Sequence, residues 1–402
     1  MNWKMLFRNL ALLLGVSLSV GPFLLLFLVF GALGAYPPYV TYAGLAVGVF
    51  GLLALFLGNC DYFPTPWHRH LSRGMLLVLA AAAIYVGHGV WRDSLPTVDD
   101  RDLLLWEYEP FAENSKAVRL EEPSTLQLTL AERPRLDGAT ALYPVYAAFV
   151  QAVYPDTYST SDYTLKSRHH IAECSGTIGA YERLIAQEAD VIFAAAPSQA
   201  QLELAENAGM ELHLLPIGRE AFVFFVNSKN PVEDLTVAQI QGIYTGELTN
   251  WHQLGGKRQS IRPFQRPENS GSQTALQHLM NGLPLLAPEE EDRITGMDGI
   301  IRQVANYRNY RNAIGFSFRF YATEMVTSNE IRLLALDGVA PTQETIRDGS
   351  YPLSSEFYAV TAAPVGQPDP REANPFISAF LDWILSEQGQ FLIEKTGYVA
   401  LS

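Results

Sequence analysis

Cysteine is scarce in this sequence: two among 402 residues, Cys60 and Cys174. That excludes a disulfide scaffold and any four-thiolate zinc site. Charge is thin too, at 17% Asp, Glu, Lys and Arg, and it is unevenly spread. Residues 1–91 hold only Lys4, Arg8, Arg69, Arg73 and the acid Asp61, a net of +3. The other 311 residues carry 24 bases against 41 acids, a net of −17. Basic residues are lacking where a nucleic-acid binder concentrates them, so nucleic acid is not an expected partner. The same deficit speaks against docking on an anionic lipid surface. Neither a Gly-x-Ser-x-Gly elbow nor a Walker A loop occurs, and no paired carboxylates or metal ligands can be placed. The sequence therefore predicts no enzyme, no metal and no cofactor.

What the first ninety residues do have is long apolar runs. Residues 10–33, 40–57 and 75–90 contain no formal charge, and each is near the ~20 residues that cross a hydrocarbon core. A cleavable signal has one short apolar region followed by small residues. Ala32, Gly34 and Ala35 imitate such a site, but two further runs follow. Three transmembrane α-helices are expected, forming an anchor over 1–91. Lys4 and Arg8 precede the first run, and Arg69 and Arg73 sit between the second and third. The loop between the first two, around Pro37 and Pro38, has no base. Positive charge stays cytoplasmic, so the N-terminus is expected inside the inner cell membrane and everything after Trp91 outside. Residues 92–124, acidic and turn-rich, read as an extracytoplasmic connector. Cys174 is then alone in an oxidising space and reads as a buried, inert thiol.

From residue 125 the patterning alternates. Residues 126–130 (Leu, Gln, Leu, Thr, Leu) have the period-two pattern of a strand. Leu142, Val145, Tyr146, Phe149 and Val153 make a helical face, and so do Ile178, Tyr181, Leu184 and Ile185. Residues 190–194, 212–215 and 221–226 read as short buried strands. Thr236 and Gln239 form a capping box that opens a helix. Strands and helices taking turns predict an α/β fold with mainly parallel sheets, large enough for two lobes.

Three segments share a device: a small-residue turn carrying hydroxyls at the start of a helix. They are Gly138, Ala139 and Thr140; then Ser175, Gly176 and Thr177 after Cys174; then Arg266 through Ser270, Gly271 and Ser272. In the third, Ser270 and Gln273 have capping-box spacing, so Ser270 is expected to begin the helix. Helix N-termini present unpaired N–H groups and the positive end of a dipole, which suits an anion. Arg266 adds a fork able to hold an oxyanion bidentately. Any one of these turns read alone is a plain helix cap.

From Leu126 to Ser402 the chain resembles the phosphate ABC transporter substrate-binding protein family. The residues that carry it run in order: 221–231, 246–251 with Gly255 and Gly256, 265–274, 313–317, 337–341, 351–355, then Gly389, Gln390, Thr396, Gly397 and Tyr398. The resemblance implies a two-lobed type II periplasmic-binding-protein fold that closes on its ligand. Lobe one would be 126–219 plus 358–402 and lobe two 226–357, with 221–226 and 357–361 as the crossing strands. It also implies the site: Thr140 with the backbone N–H of Ala141; Thr177 with Ser175 and Gly176; Arg266; and Ser270, Gly271 and Ser272. One departure matters. Where phosphate-selective members place an aspartate before Ala-Pro, this chain has Ala195. That carboxylate accepts the proton of a protonated phosphate and repels an unprotonated anion.

Other features have plainer readings. His169 and His170 are adjacent and would point apart on a strand. Glu289 to Asp292 reads as a solvated loop, and Trp251, Trp383 and Phe391 as core. The leading functional expectation is a tethered extracytoplasmic receptor for phosphate or a related tetrahedral oxyanion. It would serve an ABC permease or act with a membrane sensor. The alternative keeps the fold but recognises a protein or envelope component, having lost small-anion binding.

Overall fold

The computed structural model describes residues 37–59, 66–95, 97–98, 105–156, 172–287, 294–295, 301–302, 307–308, 310–325 and 330–401, with four isolated positions nearer the N-terminus. The chain divides into two compact units, Met1–Pro96 and Thr97–Ser402.

In the first unit, α1 (Pro38–Asn59) and α2 (Pro66–Asp93) pack on one another. Tyr39 is buried there, against Gly89 of α2. Their apolar residues run all round the helix instead of forming one stripe, the pattern of a helix meant to be wholly surrounded by apolar material. Leu76, Leu77 and Ile84 of α2 are nonetheless exposed. Among the described residues, Arg73–Asp93 is long and apolar enough to cross a membrane, by length and composition, and Tyr39–Ala54 is a shorter apolar stretch. The expectation of three spans is thus met in length at one. The first, 10–33, lies almost wholly outside the described residues, as do His169, His170 and the acidic run at 289–292.

The second unit is built on one eight-stranded sheet. Its strands are β1 (Leu136–Gly138), β2 (Val191–Ala194), β3 (Met210–Asn227), β4 (Arg262–Pro263), β5 (Ala313–Phe318), β6 (Ile331–Leu333), β7 (Ser354–Pro364) and β8 (Val399–Ala400). The order is β1-β2-β7-β3-β5-β4, with β6 and β8 also pairing with β3. The helices that cover it are α3 (Tyr143–Val153), α4 (Gly176–Ile185), α5 (Gln199–Asn207), α6 (Val237–Thr245), α7 (Gly271–Met280), α8 (Pro375–Ile384) and α9 (Glu387–Thr396).

The long strand β3 decides the architecture. Its first half pairs antiparallel with β7, from Met210 opposite Pro364 to Ala221 opposite Ser354. Its second half pairs antiparallel with β5, Phe222 opposite Phe318 through Val226 opposite Ile314. Every residue from Ala221 to Asn227 is buried, which is why this run is almost continuously apolar: it is covered on both faces. The two strands expected at 212–215 and 221–226 are therefore one. Where β3 passes between the halves of the sheet, Gly218 lies under the Phe357 ring: a Cβ there would meet Phe357 Cζ at 2.5 Å and the Val399 carbonyl at 3.1 Å. Only glycine permits that approach.

Three sequence expectations need correction. Within the described strands of the eight-stranded sheet, parallel pairing is confined to β1–β2 and β4–β5; the crossing strands β3 and β7 run through the middle and make their pairings antiparallel. The strand expected at 126–130 is extended chain outside the sheet. Leu128 is buried, but its N–H donates to the Val153 carbonyl at the end of α3, at 3.0 Å. Phe391 is 37% exposed, with the Lys395 ammonium 5.5 Å from its ring centre, whereas Trp251 and Trp383 are core.

The larger core lies between the sheet and α3, α8 and α9. Tyr146 stacks on Phe193 at 5.1 Å, and Phe149 meets Trp383 edge-on at 6.0 Å. Part of the expected connector joins this core, since Leu105, Tyr108, Phe111, Val118 and Leu120 pack against it.

Candidate functional site

The first turn follows β1 and the third follows β4, the two end strands of the sheet. β1 ends at Gly138, and Thr140–Leu142 forms a single 3-10 turn that leads into α3. Neither its N-cap residue, Ala139, nor that of α4, Ser175, makes a side-chain capping bond. Both helix starts therefore keep their N–H groups uncapped by side chains. Gly176 opens α4 with φ +78°, a conformation that costs glycine little, and a Cβ there would lie 3.8 Å from Thr140 Oγ1. Thr140 and the second turn are thus neighbours.

The third turn comes from the other half of the sheet. A Cβ on Gly271 would lie 3.3 Å from Thr177 Oγ1 and 3.6 Å from the Ala195 Cβ, so the starts of α4 and α7 meet. Ser270 is the N-cap of α7, as its spacing predicts, and accepts the Gln273 N–H at 3.3 Å. The expected box is only half formed. The Gln273 side chain turns away, accepting the Arg266 N–H at 2.9 Å and donating to Gln265 Oε1 at 3.1 Å. That bond fixes the backbone of Arg266. Two further bonds tie the start of α5 to the third turn: Ser198 Oγ donates to Asn269 Oδ1 at 3.0 Å, and the Gln201 amide donates to the Asn269 carbonyl at 3.3 Å.

Behind the second turn stands a buried carboxylate that sequence reasoning did not single out. Asp137 has no exposed surface. It accepts the N–H groups of Gly138 at 2.7 Å and Ser175 at 2.8 Å, and the Ser175 hydroxyl at 2.7 Å. Arg183 of α4 pairs with it at 2.9 Å and with Glu173 at 3.0 Å. Both donors of Ser175 are therefore committed to Asp137. Ser175 thereby ties the second turn to β1. Nearby, Cys174 is half-buried where a buried thiol was expected, and desolvation raises its pKa.

A cleft of about 360 Å3, counted out to open solvent, lies between these elements. Ala141, Thr177 and Ala195 line it from one lobe and Phe318 from the other, with Glu220 on β3 and Tyr398 at its floor. The Tyr398 hydroxyl donates to the Ala141 carbonyl, and its ring stacks on Phe320 at 4.7 Å. On the wall, the Tyr181 hydroxyl donates to the Ala195 carbonyl at 2.8 Å and holds that segment. Of the site residues expected from the sequence, Ala141 and Thr177 belong to this lining, and Thr140, Ser175, Gly176, Arg266, Ser270, Gly271 and Ser272 do not; Ser272 is buried in the first turn of α7.

Glu220 is the second residue missed. It is 4% exposed, its Oε1 accepts the Ala221 N–H at 2.8 Å, and its Oε2 accepts the Phe320 N–H at 3.3 Å. Burial raises its pKa to about 7, against the opposing pull of those amides and of Arg319. The available signal was a charge standing in a strand whose following residues are all apolar. Among the described residues no group of His, Cys, Asp and Glu is arranged to hold a metal ion.

The mixed α/β architecture, with β3 and β7 crossing its middle and the starts of α4 and α7 meeting, is that of the type II periplasmic-binding-protein fold. A model of the PBP superfamily domain matches residues 128–388, and the chain belongs to that superfamily; its homologues are substrate-binding proteins and not enzymes. Among curated proteins it is similar to the phosphate-binding protein PstS of Bacillus subtilis, 26% identical over 202 residues, covering 49% of this chain and 61% of that one. It is similar also to the PstS of Borreliella burgdorferi, 22% identical over 187 residues, 45% and 63% of the two chains. The chain thus spans about three-fifths of the length of these relatives. Among solved structures it is similar to an ABC-type phosphate transport receptor from Vibrio cholerae, at 20% identity and a TM-score of 0.43. That match covers 68% of this chain and all of that one.

Proposed function

We propose that the chain is a membrane-anchored extracytoplasmic receptor whose cleft closes on phosphate or a related tetrahedral oxyanion. The observation that carries this reading is the meeting of helix starts from both lobes, Thr140 beside Gly176 and Thr177 beside Gly271. Their N–H groups and hydroxyls would hold an anion largely without net charge. Thr140, Ala141, Gly176 and Thr177 would serve it from lobe one, and Arg266, Ser270, Gly271 and Ser272 from lobe two. A ligand touching both lobes favours the closed hinge because only the closed state offers all its contacts. The curated relatives named above are phosphate-binding proteins, which supports the choice of ligand.

In this reading residues 1–91 are the anchor, crossing three times with the N-terminus cytoplasmic. The exposed apolar residues of α2 support it. The receptor would hand its ligand to an ABC permease or report occupancy to a membrane sensor. A second reading, recognition of a protein or envelope component through the same fold, is favoured by two observations: Ala195 stands where a carboxylate was expected, and Glu220 and Glu356 both line the cleft.

Calorimetric titration of the full chain in detergent with inorganic phosphate separates the two. Saturable heat that is lost in Arg266→Ala fits the receptor. Absence of heat from a folded chain that has been stripped of endogenous ligand overturns it and leaves the interaction module.

A further inference from the structure

The body of the chain is strongly acidic, yet one hollow in it is lined by three bases and no acid. β3 carries Glu220 in the cleft and ends at Asn227, roughly 23 Å further along. The hollow lies just beyond that end and shares no lining residue with the cleft. Lys229, Lys257 and Arg311 stand around it, all exposed, and among the described residues none of them makes an ion pair. Asn230 adds a buried donor. Its N–H donates to the Asn227 carbonyl at 2.8 Å, its Oδ1 accepts the Val232 N–H at 3.1 Å, and its carbonyl accepts Arg332 Nη2. The amide nitrogen, Nδ2, is then left without a partner on a side chain that is 4% exposed. A buried donor is rarely left so, because nothing replaces its lost hydration. Trp251 closes the hollow with an apolar wall, since its ring is buried and its indole Nε1 donates to the Asn312 carbonyl at 2.8 Å.

Three cations around one hollow repel one another unless an anion meets them. The space, about 300 Å3 counted out to open solvent, suits a small molecule. We propose that this hollow is a second binding site, for a compact polyanion bearing two or more carboxylate or phosphoryl groups. Lys229 and Lys257 neutralise it as point charges, Arg311 takes one group in its fork, and Asn230 donates its free amide. Recognition here is by net charge, whereas the helix starts at the cleft offer N–H groups and hydroxyls. The inference does not rest on the receptor reading, since the two sites have no residue in common.

The test is calorimetric titration of the full chain in non-ionic detergent with sodium citrate and sodium pyrophosphate, and with acetate as the singly charged control. The unmodified chain should bind at least one polyanion saturably, and acetate about ten-fold more weakly or not at all. Affinity for the polyanion should fall several-fold when sodium chloride is raised. Lys257→Gln combined with Arg311→Gln should weaken it about ten-fold, while Arg266→Ala leaves it unchanged. Asn230→Asp, which puts a carboxylate where the amide donates, should weaken it by a similar factor. The two bases are exposed, so their double variant keeps the fold and decides the matter even where Asn230→Asp does not fold. Binding of citrate alone identifies a carboxylate ligand and binding of pyrophosphate alone a phosphoryl one; either supports the inference. No saturable heat with either polyanion from a folded chain overturns it. So does binding that survives the double variant but is lost in Arg266→Ala, since the polyanion then sits in the cleft, and so does equal affinity for acetate. The receptor reading is judged apart, by inorganic phosphate and Arg266→Ala, so each can fail without the other.

Discussion

Asp137, at the end of β1, and Glu220, on β3 where it passes between the lobes, are both buried carboxylates of the binding domain, and their surroundings are opposite. Asp137 receives a guanidinium, two backbone N–H groups and a hydroxyl. Glu220 receives two backbone N–H groups and, among the described residues, no ion pair, Arg319 acting on it only through its field. The first arrangement compensates the charge and turns it into a brace for the second helix start. The second leaves the charge costly, so the group keeps its proton to about pH 7. One site has its carboxylate locked for architecture, and the other has a carboxyl that changes charge near neutrality.

The largest effect that would sharpen this contrast comes from removing the brace. Asp137→Ala leaves Arg183 and Ser175 without their partner, and urea denaturation should show a loss of about 4 kcal/mol. A loss under about 1 kcal/mol would mean that water replaces the carboxylate and that the contrast is overstated.

Next comes the pH dependence of the unliganded chain. Glu220 holds its proton more tightly when folded than at the ordinary value of 4.5. Its contribution to stability is therefore complete below about pH 4.5 and is lost as pH rises through about 7, amounting to about 3 kcal/mol. Thermal melts of Glu220→Gln against the unmodified chain should show that slope flattened. Equal slopes would break the comparison, since Glu220 would then be solvated like any surface acid.

Two smaller changes probe the walls. Ser198→Ala removes both the cap of α5 and the bond to Asn269 of the third turn. It should cost about 1 kcal/mol of stability and several-fold in phosphate affinity, read by titration. Tyr181→Phe deletes the single bond to the Ala195 carbonyl. A loss of about 1 kcal/mol in the same melt is expected, with phosphate affinity changed less than by Ser198→Ala.

Much of the local structure was legible beforehand. The capping box at Thr236 and Gln239, the N-cap at Ser270 and the faces of α3 and α4 depend on spacing within one turn or two, and the chain obeys them except at Ile178, which is exposed on α4. The candidate turns were legible for the same reason, because small residues and hydroxyls at a helix start are a local pattern. The strand at 126–130 was misread because alternation marks extended chain, whereas a sheet also needs a partner. The sheet's direction was misread because β3 and β7 traverse both lobes, a long-range pairing that no local period reports.

By itself, then, the sequence determined the acidic body, the apolar first ninety residues, the helix starts and the lack of a carboxylate at Ala195. Each follows from composition or from residues within a few positions of one another. Only the tertiary structure decided that Asp137 is compensated and Glu220 is not. Burial and partners come from chain segments far apart in sequence: Arg183 closes over Asp137 from α4, while Phe320 and Tyr398 enclose Glu220. A carboxylate's charge state depends on its surroundings, and those exist only once the lobes and their crossing strands are assembled.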